Sequence, residues 1–102
     1  MRYSFLCVAA ISTVLLAAEP PAHSVKPRNG LVPDAATATK IAVAVWEPIY
    51  GARQIADQQP YRAKLRNGIW TVEGTLNMDM GGVALAEISQ KDGRIVRVSH
   101  GR

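Results

Sequence analysis

Two histidines, one cysteine and eight acidic side chains are the whole stock from which this 102-residue chain can build a reactive centre. Metal binding and acid–base catalysis need such groups clustered, as sets of ligands or as matched pairs within reach of each other. His23 stands in a proline-rich stretch, and His100 is three residues from the end, with no second His or Cys beside it. His100 reads as a lone general base or ligand, or as a structural or exposed histidine. Glu47, Glu73 and Glu87 form either a carboxylate pair or separate solvated positions, since nothing in their spacing forces them together. Ser89 and Ser99 lie outside any Gly-x-Ser-x-Gly elbow, and Gly81-Gly82 lacks the length and the following Lys-Ser/Thr of a phosphate-cradling loop. These patterns predict no catalytic residue, no metal and no cofactor, and hence no enzyme.

Binding chemistry is better represented. Arg62, Lys64 and Arg66 project from one face of a short alternating segment, and Arg94 and Arg97 come from another, so a positive patch is possible in a chain of net charge +4. The aromatic interleaving of a stacking platform is missing, which argues against nucleic acid. Charges at this spacing serve either as the ordinary protection of an edge strand or as a surface for an acidic protein. The stretch Asn77 to Gly81 holds Met78, Asp79 and Met80. Two flexible thioethers in a loop suit an adaptable binding surface, or one folds back as a lid over the core. The candidate partner contacts are Met78, Asp79 and Met80, with Arg62, Lys64 and Arg66 as an electrostatic rim.

Length divided by about 150 allows one domain at most. Residues 1–18 carry Arg2, then an apolar run from Phe5 to Leu16 and small residues at Ala17 and Ala18, the layout of a secretory signal peptide. The run is too short to span a bilayer, which takes about 20 residues, so no stable membrane insertion is expected after cleavage. Cys7 leaves with this segment, and the remaining chain then has no thiol for disulfides or metal binding. A cysteine-free exported domain points to a bacterial periplasm. Residues 19–32, with Pro20, Pro21, Pro27 and Gly30, read as an extended lead-in, and 33–102 as the folded domain.

Asp34 is placed to cap a helix whose Ala38, Ile41, Ala42, Val45 and Ile49 recur at helical spacing. Pro48 predicts a kink or break near Trp46, and Ala52 to Gln59 a short second helix closed by Pro60. Beyond Pro60 the period becomes two, and Asn67-Gly68 is a strong hairpin signal. Strands are expected over 61–66, 69–76, 82–89 and 94–100. The fold class is therefore α+β: one long kinked N-terminal helix and a short second one, packed on a four-stranded antiparallel meander sheet. Ile41, Val45, Ile49, Trp70, Val72, Leu85 or Ile88, and Val98 should form the core.

A wider pattern joins these residues. Ala-Thr-Lys-Ile-Ala, Pro48-Ile49-Tyr50-Gly51, Gln54-Ile55, Pro60-Tyr61, Gly68-Ile69-Trp70-Thr71-Val72, Gly74-Thr75-Leu76, Gly81-Gly82-Val83-Ala84, Asp92-Gly93-Arg94-Ile95 and the closing Ser99-His100-Gly101-Arg102 resemble the small bacterial immunity proteins of nuclear-transport-factor-2-like, cystatin-related fold. The family's usual terminal His-Gly-Lys is His-Gly-Arg here. The resemblance implies a stoichiometric inhibitor that binds a cognate antibacterial toxin. With export, it implies a periplasmic protein facing a cell-wall-targeting effector. The alternative is a small envelope module that binds a peptide or a peptidoglycan fragment.

Overall fold

In a computed structural model, residues 24–76 and 81–101 are described. The expected signal segment, the first part of the lead-in, and Met78, Asp79 and Met80 lie outside them. Two helices, α1 (Ala35–Tyr50) and α2 (Ala52–Ala56), precede four strands, β1 (Arg62–Arg66), β2 (Ile69–Glu73), β3 (Val83–Ser89) and β4 (Ile95–Gly101). The strands form one antiparallel sheet in the order β1-β2-β3-β4, with the helices on one face. This is the α+β helix-on-meander arrangement that the periodicity predicts.

Helix α1 starts where Asp34 accepts hydrogen bonds from the Thr37 backbone N–H at 2.8 Å and the Thr37 hydroxyl at 2.7 Å, satisfying one of the donors left over at a helix start. Those bonds, the hydroxyl's first, hold the Asp34 carboxyl below its usual range. A carboxylate so depressed stabilises the fold at neutral pH, and its contribution is lost as pH falls through the folded-state value. The helix does not break at Trp46 but carries through Pro48 to Tyr50. Proline removes only the donor that would serve the carbonyl of Ala44, an exposed residue where water can take its place. Gly51, at φ 98°, then ends the helix with its N–H on the Glu47 carbonyl at 2.8 Å.

The buried line of α1 is Ala38, Ala42 and Trp46, all fully inaccessible. Ile41 is partly buried against this core, and Val45 is half-buried. Ile49 is a correction: it is 57% exposed. Residues four apart wind round a helix by about 40° per step, so near the C-terminus the buried side has turned toward Trp46 and Tyr50 and away from Ile49. Facing the helix are Trp70 and Val72 of β2 and Ala84, Ala86 and Ile88 of β3, in one cluster with Ile55 of α2. Alanines on both layers let helix and sheet approach closely. Ile88 is fully buried, while Leu85 lies half-buried on the other side of the sheet, which decides between those two. Val98 packs at the margin of the cluster.

The Asn67-Gly68 turn has positive φ at both positions, 51° and 78°, as the two-residue hairpin of matching twist requires. Strand β2 ends at Glu73, short of the expected Leu76. Beyond it the Gly74 N–H still reaches Ala84, and the Thr75 N–H turns instead to the Gln58 carbonyl at 2.7 Å.

Val32, within the stretch that composition reads as lead-in, is 1% exposed. The N–H groups of Leu31 and Val32 donate to the carbonyls of Lys91 and Gln90, both at 3.0 Å, and the Trp70 indole N–H donates to the Val32 carbonyl at 2.8 Å. Gly30, at φ 84°, permits this approach, because any Cβ there would run into the Gln90 carbonyl. The other buried tryptophan differs: among the described residues the Trp46 indole N–H has no hydrogen-bond partner. Its ring rests against Tyr61, with centroids 5.7 Å apart. Tyr61 in turn donates its hydroxyl to the Ile55 carbonyl at 2.7 Å, and its pKa is raised by burial and then by Glu47.

Trp46→Phe and Trp70→Phe remove the same ring atoms, so their difference reads the Trp70–Val32 bond. Trp70→Phe should be the more destabilising by about 1 kcal/mol in urea unfolding. Equal losses would mean the bond adds nothing.

Candidate functional site

Two places among the described residues bring together side chains that the sequence singles out. The first is a cleft of about 540 Å³ where the end of α1, helix α2, the start of β3 and the end of β4 meet, lined by Tyr50, Arg53, Gln54, Asp57, Gln58 and His100 among others. Gln58 organises it. Its side chain is folded inward, leaving the residue 6% exposed, and its Oε1 accepts the Ala84 backbone N–H at 2.8 Å. Gly74 makes the room, since a Cβ at that position would overlap the Gln58 side chain. With the oxygen committed to Ala84, the Gln58 Nε2 must face His100, where it lies 3.1 Å from the ring Nε2. An amide nitrogen is only a donor, so His100 Nε2 accepts and the neutral ring carries its proton on Nδ1. Gln54 Nε2 approaches the same ring nitrogen at 3.4 Å, and Tyr50 stacks against the ring with centroids 4.9 Å apart and planes tilted by 51°. His100 is thus held by two amides and an aromatic ring. Two of its partners, Gln54 and Gln58, were missed by sequence reasoning, because glutamine carries no reactive signature and only the fold reveals that one of them is buried.

The second place is the sheet face that the helices leave uncovered. Register puts Arg62, Lys64 and Arg66 on it, in the edge strand β1, all exposed. Arg62 pairs with Glu73 directly across the ladder at 3.1 Å, and Arg97 pairs with Glu87 at 3.3 Å. Glu73 and Glu87 therefore each sit with an arginine, which removes the idea of a shared carboxylate pair. Arg94 turns to Asp92 at 3.6 Å. The Asp92 carboxyl is lowered, chiefly by the Arg94 backbone N–H. The five basic residues expected as one positive patch are thus interrupted by acidic partners. Exposed pairs of this kind are individually worth about 0–1 kcal/mol, and their effect here is to shape the charge pattern rather than to hold the fold.

Among the described residues no three His, Cys, Asp or Glu side chains come together as a metal site would need, and no helix is long and apolar enough to cross a membrane. Fold and surface define a small α+β module with a helix layer, one open sheet face and a polar cleft at one end. The comparisons make this specific. Residues 37–102 match the family model of NTF2 fold immunity proteins, and the chain belongs to that family. It is also similar to the uncharacterized protein YhhH of Escherichia coli (strain K12), 35% identical over 76 residues, which cover 72% of this chain and 60% of YhhH. The chain thus spans well under the full length of that relative. No solved structure matches it.

The tautomer assignment is open to measurement. In ¹⁵N-edited spectra of the neutral ring, His100 should carry its proton on Nδ1. Gln58→Glu, which replaces the donor by an acceptor, should move the proton to Nε2. A wild-type ring protonated on Nε2 contradicts the arrangement.

Proposed function

We propose that the protein is a periplasmic immunity protein that neutralises a cognate antibacterial toxin directed at the cell wall, by stoichiometric occlusion rather than by turnover. The carrying observation is the family match over 37–102, which takes in the sheet, the open sheet face, most of the polar cleft and nearly all of α1. The signal-like layout of residues 1–18 supports the compartment. The compartment in turn favours a cell-wall target. In this reading Met78, Asp79 and Met80 reach the toxin, and Arg62, Lys64 and Arg66 supply the surrounding charge.

The test is co-expression of the full chain with each antibacterial toxin of its own source strain. Growth should be restored when the toxin is sent to the periplasm, with a one-to-one complex on purification. Continued killing at excess immunity protein, or product formation by the immunity protein alone, defeats the proposal.

Met78→Ala combined with Met80→Ala should weaken protection without lowering the melting temperature. Equal loss of both assigns these side chains to the core instead.

The polar cleft favours a second reading, an envelope module for a peptide or peptidoglycan fragment. Calorimetric titration with purified muropeptides distinguishes it, since the immunity reading expects no heat.

A further inference from the structure

The geometry points to a carboxylate-binding contact on the open sheet face, made by Lys64 and Thr71, through which the chain grips an acidic patch on its toxin. This rests on the toxin-neutralising reading above and adds the partner's surface chemistry.

Strands β1 and β2 place Lys64 directly opposite Thr71, on the side away from the helices. Between them and the neighbouring Arg62–Glu73 pair lies a depression of about 210 Å³, lined by these four residues alone. Its chemistry is one-sided. Glu73 is already engaged by Arg62 at 3.1 Å, whereas Lys64 has no ion pair and the Thr71 hydroxyl no hydrogen bond among the described residues. An ammonium and a hydroxyl with free donor capacity, next to a guanidinium, suit an incoming carboxylate side chain.

The whole face has the same bias. It carries four cations, Arg62, Lys64, Arg66 and Arg97, against two carboxylates, Glu73 and Glu87, and both carboxylates are spent on arginines. The uncompensated charge sits on Lys64 and Arg66, side by side along one face of the β1 edge strand. Half-buried Leu85, opposite Glu73 in the ladder, gives the face an apolar floor. A partner that fits therefore presents Asp or Glu around a small apolar centre, the complementary pattern that sets on-rate and register at protein interfaces. The cross-strand pairs also rank the residues: Lys64 and Arg66 should matter more than Arg62 and Arg97, which the chain itself neutralises.

The probe is the purified toxin against which the full chain protects in the co-expression test, titrated with the full-length protein by surface plasmon resonance at low and raised salt. Lys64→Glu and Arg66→Glu should each weaken binding roughly tenfold or more, mainly through the on-rate, and flatten its salt dependence. Thr71→Val should cost a smaller factor and leave the salt dependence unchanged. Lys40→Glu, a matched reversal on the helix layer, should bind as wild type, and all variants should melt with wild type because these positions are exposed or half-buried. If wild type binds and Lys64→Glu binds equally well, the contact is elsewhere and the inference falls while the immunity reading stands. If wild type does not bind, the immunity reading itself fails for this toxin. Should sedimentation show a dimer that Lys64→Glu dissolves, the face serves a second copy of the chain, which also overturns the inference.

Discussion

Among the described residues, one sixteen-residue helix and a five-residue companion cover one face of a four-stranded sheet. That limit governs the molecule. Each strand must divide its residues into a side that meets the helices and a side that meets water or a partner, and because strand residues alternate, the division is made residue by residue. Trp70 and Val72 go inward with Ala84, Ala86 and Ile88. Arg62, Lys64, Thr71, Glu73 and Glu87 stay out. A one-residue slip would exchange the two sets, so the Asn67-Gly68 turn that pins the β1–β2 register also determines which charges face outward.

The two ends of this layered unit are closed differently. At one end, Gly30 to Val32 lies along the β3–β4 turn and is tied to Trp70. The Gln90 N–H bonds Gly68, linking that turn to the first hairpin. At the other end the backbone alone does not complete the ladder, and a side chain does so: Gln58 satisfies the Ala84 N–H and at the same time fixes His100. A buried amide with donor and acceptor both used gives a defined geometry, because either mismatch leaves an unpaired polar group in a dry place. The structural use of Gln58 and the ordering of the polar cleft are one arrangement.

Much of this was legible in the residues. The Asp34 cap, the hairpin turn, the four strands and the exposure of Arg62, Lys64 and Arg66 follow from local preferences with short-range causes. What was not legible depended on distant partners. Ile49 sits at correct helical spacing and is nonetheless exposed, because the core lies to one side of the last turn. Trp46 was read as the site of a kink and is a core residue. Val32 looked like lead-in until Gln90, Lys91 and Trp70 were brought beside it, and Gln58 has no local feature marking it as buried.

The amino-acid order by itself determined the α+β class, the meander, the separation of apolar from charged strand faces and the scarcity of reactive side chains, since each depends on periodicity, turn chemistry or inventory within a short span of chain. Only the tertiary structure decided which cations are already neutralised, which glutamines meet His100 and where a carboxylate-sized depression opens. Those are distances between residues 7 to 46 positions apart, and beyond the pairs that the Asn67-Gly68 turn places opposite each other, no rule of spacing along the chain sets them.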